Sequence, residues 1–313
     1  MTLLVSINTL IKLYMNNNAR SCLRATIKKI DGAYAPNTIR AYKSNFEFFI
    51  NFCDENNETA LPATAEIVVR YIKHISSGRL KSSSIKIAVA SISAIHRFNS
   101  KEDPTQHADV KIEMRRMYRK LGRFSKQAYG INKDLLQKMV DATDGSLRGF
   151  RNRAILLVAY DTLCRRSELV NLSMEDLKIT HSNDEKIIQL ILRKSKTDPE
   201  GYGRPLYLNK EAQIAIYEWI KKSNIKSGKL FRAIYGQNKI KEDLNLGQIN
   251  RIYKKYASTT NLSKEQIAKI SGHSIRVGSA QDMMISGASL PILMTRGRWK
   301  KPDTALRYVE HYL

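Results

Sequence analysis

Between residues 36 and 122 apolar side chains recur at spacings of three and four, the pattern of amphipathic helices that each bury one stripe. Thr38 can cap a helix carrying Ile39, Tyr42, Phe46, Phe49, Ile50 and Cys53. Thr64 can start a second, with Ile67, Val68, Tyr71, Ile72 and Ile75. Ser82–Ser84 precede a third, with Ile85, Ala88, Ile92 and Ile95, and a fourth over about 108–121 turns Val110, Met114, Met117, Tyr118 and Leu121 inward. The apolar stripes read as core and nothing more.

The rhythm breaks at Gly122–Gly130, a short, basic, Gly-bounded stretch that places an interdomain linker at 123–131. Beyond it, Asn132 can cap a helix with Leu135, Leu136, Met139 and Val140, and residues 154–164 form a mostly apolar run that predicts a buried central helix. Residues 187–193 are short and β-branched, hence a strand. The turn-rich KSKTDPEGYGR and then PLYL follow, which together predict a hairpin with a long tip. Helices are expected at about 210–222 and 247–258, and the rest is helical, punctuated by Gly272, Gly287 and Gly297. The expected fold is mainly α with a small antiparallel β-sheet. Its divisions are an N-terminal extension 1–30, a helical domain 31–122, the linker 123–131 and a second domain 132–313. The first stretch is mildly apolar but broken by Asn8 and Lys12, and it lacks a basic leader and a small-residue cleavage site. It predicts neither a signal peptide nor a membrane span. An extra helix, a disordered tail and a start codon placed too early all fit it.

Charge adds a partner to this picture. With 313 residues, two domains are the natural expectation. Lys and Arg total 53 against 29 acidic residues, a net charge of +24. A polyanion is the first explanation of such an excess, because each phosphate neutralised releases condensed counterions. Acidic lipid or a ribosome would draw the same charge. The outer face of the fourth helix carries Lys111, Arg115, Arg116, Arg119 and Lys120, and these, with Lys81, are candidate DNA contacts. A merely solvated basic face is the plainer alternative. Cys22, Cys53 and Cys164 are too few and too scattered for a disulfide framework or a zinc site, which fits a reducing cytoplasm.

Four stretches carry chemistry. In LCRRSELVNL, Arg165 follows the buried helix directly, with Arg166 and Glu168 behind it. A guanidinium buried there needs a carboxylate or a phosphate, and its planar fork suits either. The hairpin tip presents Lys194 and Lys196 with the same parity, although solvated turn lysines are the commoner case. In SGHSIRVGSA, His273 and Arg276 lie three apart at a helix start, where Ser271 or Ser274 can cap and unsatisfied N–H groups favour an anion. Zinc is not supported there, since no Cys or second His lies at metal spacing. In RGRWKKPDTALRYVEHYL, Trp299 ends a short helix, and Asp303 or Thr304 starts another that presents Tyr308 and Tyr312 one turn apart. Tyr312 reads as a core aromatic. Arg296 and Arg298 flank Gly297, either as phosphate contacts or as surface charge.

Arg165, Lys196, His273 with Arg276, Trp299 and Tyr308 stand in the order and context of the tyrosine recombinase (phage integrase) family, which the chain resembles from about residue 35 onward. SGHSIRVGSAQDM, AYDTLCRRSEL and the nine-residue step from Trp299 to Tyr308 carry the likeness. The resemblance implies a C-shaped clamp of a helical, SAM-like core-binding domain and a catalytic domain, acting on duplex DNA as a homotetramer, in the cytoplasm, with no cofactor. It implies that Arg165 and Arg276 grip the scissile phosphate and that Lys196 is the general acid. His273 would accept a proton or hydrogen-bond, Trp299 would donate its indole N–H or pack, and Glu168 would orient its neighbours. Tyr308 would attack to leave a 3′-phosphotyrosine without metal or ATP. Family enzymes carry a further helix after the nucleophile, whereas the sequence runs five residues past Tyr308, leaving subunit exchange open. Arg296 and Arg298 also depart from the neutral residues usual there. Two other functions use the same scaffold: a type IB topoisomerase that relaxes supercoils, and a DNA-binding protein without catalysis. The second has no need of Tyr308.

Overall fold

The computed structural model describes residues 2–123, 127–182, 185–193, 203–236 and 238–309, with the side chains of 2–15, 179, 181, 182, 185 and 186 left aside. It divides into two compact units, Met1–Lys126 and Gln127–Leu313. Among the described residues no helix is long and apolar enough to cross a membrane.

The first unit is helical: α1 (Thr2–Lys29), α2 (Pro36–Glu55), α3 (Ala65–Ser77), α4 (Ser82–Phe98) and α5 (Ala108–Leu121). The leading segment is therefore a helix. Its second half is tied down, with Ala19 and Leu23 buried in the common core and Arg20 paired to Asp54 at 2.6 Å. Helix α2 starts ahead of Thr38, at Pro36, whose ring fixes a helical φ and whose missing N–H costs nothing in the first turn. Thr64 caps α3 by accepting from the Ile67 amide at 3.3 Å. Helix α4 begins at Ser82, so the serines open the helix from inside it. Phe46, Phe49, Ile50, Ile72, Ile92 and Ile95 are fully buried, as their spacing predicts. On α5, Val110 and Met117 are buried, while Lys111, Arg115, Arg116, Arg119 and Lys120 are all exposed, as is Lys81 at the N-cap of α4.

The second unit begins with α6 (Lys133–Asp141), capped by Asn132, and α7 (Leu147–Thr162), capped by Ser146. Helix α7 reaches back to Leu147, well before the predicted start at 154. Its first turns carry Arg148, Arg151, Asn152 and Arg153, and polar residues there hide the periodicity even though Arg151 and Asn152 are buried. After α8 (Arg166–Leu169), strands β1 (Leu177–Ser182), β2 (Glu185–Leu192) and β3 (Arg204–Leu206) form an antiparallel sheet in the order β1-β2-β3. Leu190 pairs with both Leu177 and Leu206. The β2–β3 pairing is the expected hairpin; β1 is an addition to it, and the tip with Lys194 and Lys196 lies outside the described residues. Next come α9 (Lys210–Ser223), a short pair β4 (Ile234–Tyr235) and β5 (Lys239–Ile240), α10 (Leu246–Ala257) and α11 (Lys264–Ala268). The remaining helices are α12 (Ser274–Ile285), α13 (Leu290–Gly297) and α14 (Pro302–Leu306). Helix α7 runs through the main core with Ile155, Leu156 and Val158, and Trp219, Phe231 and Tyr253 close around it. A smaller cluster of Leu163, Ala280, Leu293, Trp299, Ala305 and Val309 lies beneath the site.

Candidate active site

Helix α7 stops because Leu163 takes a left-handed conformation, φ 49°, with its side chain fully buried in the smaller cluster. The chain turns there and sets Arg165 at the N-cap of α8. Glu168, one turn on, accepts from the Arg165 amide at 2.9 Å and from its guanidinium at 2.7 Å. These two bonds, both donated by Arg165, hold its side chain at the surface of a buried carboxylate, one-fifth exposed. Burial raises the pKa of Glu168, but the Arg298 and Arg165 guanidiniums and the Arg165 amide outweigh it and hold the group below its ordinary value.

Helix α12 brings up the second arginine. His273 occupies its N-cap but makes no capping bond; Ser274 accepts from the Ser271 amide at 2.9 Å, and Ser271 from the His273 amide at 3.2 Å. Helix α12 lies tight against the chain entering α6, where a side chain on Gly278 would collide with the Ile131 carbonyl. Arg276 is 1% exposed and donates to the carbonyls of Leu163 and Gly297, while its Nε has no partner among the described residues. Burial brings its pKa down to about 10 against the opposing pull of Tyr308, with Arg165 and Arg298 adding repulsion. At that value it stays charged at neutral pH. His273 is exposed at the rim. The surrounding protein, followed by the charges of Arg276, Arg166 and Arg165, lowers its pKa and favours a neutral imidazole.

The last segment brings in the aromatics. Helix α13 ends at Gly297, so Trp299 stands two residues past it and not within it. A Cβ on Gly297 would overlap the Trp299 ring, so the tight turn needs a glycine. Helix α14 starts at Pro302 and ends at Leu306. Tyr308 thus sits in the turn that follows, and Tyr312 lies outside the described residues. Tyr308 is half-buried, its ring 4.7 Å from that of Trp299. The Arg276 guanidinium lies 4.6 Å from the Trp299 ring centroid and 5.7 Å from that of Tyr308. Gln127 donates to the Tyr308 carbonyl at 3.0 Å and fixes this turn.

Arg165, Glu168, His273, Arg276, Trp299 and Tyr308 thus converge from three separate stretches of chain, while Lys196 falls outside the described residues. Sequence reasoning left Arg298 and Arg296 undecided, and the structure makes neither a free surface charge. Arg298 is buried and paired to Glu168 at 2.9 Å. Arg296 donates to the Asp161 carbonyl at 3.1 Å and lies 4.3 Å from the Tyr207 ring. The one sequence signal for Arg298 was an arginine beside Gly297 and Trp299, which does not tell burial from exposure.

Residues 130–313 match the family model described as the phage integrase family, and residues 29–103 match its N-terminal SAM-like domain. An integrase/recombinase xerD homolog of Selenomonas ruminantium is 27% identical over 307 residues, covering 95% of this chain and 87% of the relative. The recombinase cre of Escherichia phage P1 is 23% identical over 296 residues, covering 89% and 85%. The fold is shared with a XerH site-specific recombinase bound to a palindromic difH substrate (TM-score 0.66, 14% identity, 93% of this chain and 81% of that one). It is shared too with a lambda integrase dimer bound to a COC′ core site (TM-score 0.61, 15% identity, 92% and 76%). Fold and matches together define a DNA recombinase of the tyrosine type. The chain belongs to the phage integrase family.

Proposed function

We propose that this recombinase cleaves and rejoins duplex DNA at a specific site through a covalent bond between Tyr308 and a 3′-phosphate. The phenolic oxygen attacks phosphorus, the bond to the 5′-oxygen breaks, and a 5′-hydroxyl leaves. Arg165 and Arg276 neutralise the non-bridging oxygens as charge builds in the pentavalent transition state. Neutral His273 accepts a proton or hydrogen bond at the rim, and Lys196 delivers a proton to the leaving oxygen. Trp299 shelves Arg276 and Tyr308. The phosphotyrosine conserves the bond energy, so rejoining draws on no ATP. Two sites are joined within a tetramer, with α5 and Lys81 contacting the DNA backbone.

The observation that carries this reading is the stacking of Arg276 against both Trp299 and Tyr308, within electrostatic reach of Arg165. The test is a duplex nicked beside the scissile phosphate, from which the short 5′-hydroxyl fragment diffuses away. The full chain should accumulate a covalent protein–DNA adduct that survives denaturation, and Tyr308→Phe should accumulate none. An adduct undiminished by Tyr308→Phe removes Tyr308 from the role. A plasmid with two sites should give deletion or inversion; relaxation alone would indicate a topoisomerase.

A further inference from the structure

Arg298 occupies a position that would suit glycine. Its φ is 56°, in the left-handed region where a Cβ is crowded. Its side chain is buried, 4% exposed, and its Nε has no hydrogen-bond partner among the described residues. Both features cost stability, so a plain surface or filler role does not account for them. What the guanidinium touches does. It donates to the Thr162 carbonyl at 2.9 Å, to the Leu163 carbonyl at 3.2 Å and to Glu168 Oε2 at 2.9 Å. Glu168 is the carboxylate that holds the Arg165 backbone and guanidinium, and the Leu163 carbonyl also receives Arg276. Through one carboxylate and one carbonyl, Arg298 is joined to both arginines of the site.

We propose that Arg298 is a positioning residue for the strand-cleavage step: it clamps Glu168 and the Leu163 carbonyl, and so fixes the separation of the Arg165 and Arg276 guanidiniums that take the phosphate. It does not touch the DNA. The proposal rests on the assignment of Arg165, Arg276 and Tyr308 made above. Arg298 has a second effect, electrostatic in kind. The groups facing Glu168 are Arg165, Arg298 and Cys164, with Arg276 beyond them. Burial raises the Glu168 pKa, and Arg298 is the strongest of the influences that lower it. Without Arg298 the carboxyl protonates at a higher pH and releases Arg165.

The test is single-turnover cleavage of the nicked duplex by the full chain, Arg298→Gly and Arg298→Lys, across pH, with DNA affinity measured in parallel. Arg298→Gly relieves the backbone, so it should remain folded and bind DNA within about threefold of the parent. Its cleavage rate should fall roughly 10- to 100-fold, the scale of a small misplacement of catalytic groups. The acid limb of its pH profile should move up. Arg298→Lys, which keeps the charge, should recover part of the rate. Combined with Glu168→Gln, Arg298→Gly should cost much less than it does alone, because both act through one contact. A parental rate and pH profile in Arg298→Gly, a loss confined to DNA affinity, or additive effects in the double variant would overturn the proposal. Absence of an adduct in the parent is a separate result and strikes the Tyr308 assignment itself.

Discussion

At the scale of single residues, Glu168 connects stability to chemistry. It is a buried carboxylate between two guanidiniums, so removing it strands buried positive charge. Glu168→Ala should lower folding stability by about 3 kcal/mol in urea titration, far beyond a surface substitution. The pH dependence has a definite sign. The folded pKa lies below its ordinary 4.5, so this contribution is complete above that value and fades as pH falls through the folded pKa. The stability gap between the parent and Glu168→Ala should therefore narrow below about pH 4.5 and stay constant above pH 6. For the arginines, Arg165→Ala and Arg276→Ala should each keep DNA affinity while slowing adduct formation by roughly 100- to 1,000-fold, the usual cost of removing one transition-state donor. Loss of affinity with unchanged cleavage per bound complex would contradict their assignment.

At the scale of elements, the site depends on where helices stop. The left-handed Leu163 ends α7 and delivers Arg165, and the close approach of α12 to Ile131 sets the height of Arg276. Gly278→Ala should cost about 1–3 kcal/mol by overpacking, and should slow cleavage more than DNA binding because it lifts α12. Melting curves alongside adduct formation check both parts. The same elements show what was legible in the chain. Thr64, Asn132 and the apolar stripes of α2–α5 are local signals, set by backbone amides and 3.6-residue periodicity, and they read correctly. The start of α7 was missed because Arg151 and Asn152 are buried by partners distant in sequence, the Arg232 carbonyl at 3.0 Å and the Tyr256 hydroxyl at 3.1 Å. Strand β1 was missed because LKITHS is half polar and gains its pairing only from β2.

At the scale of the whole molecule, charge governs the encounter with DNA. A net +24 gives an affinity that falls steeply with salt, with a log–log slope of about −0.9 per phosphate neutralised. Neutralising Arg115 and Arg119 on the exposed face of α5 should flatten that slope by up to about 2 and leave the single-turnover cleavage rate at saturating DNA unchanged. An unchanged slope would remove α5 from the DNA contact surface.

The order of Arg165, His273, Arg276, Trp299 and Tyr308, the helical first unit and the basic excess were written in the sequence, because motif spacing, amphipathic period and composition are properties of the chain itself. The fate of Arg298 was not. Whether a guanidinium lies in water or against a carboxylate depends on which distant segments surround it, and Thr162, Leu163 and Glu168 meet Arg298 only once the last helices close over the end of α7. Local sequence set the parts; long-range packing, with the cost of burying charge unpaired, decided which of them are joined.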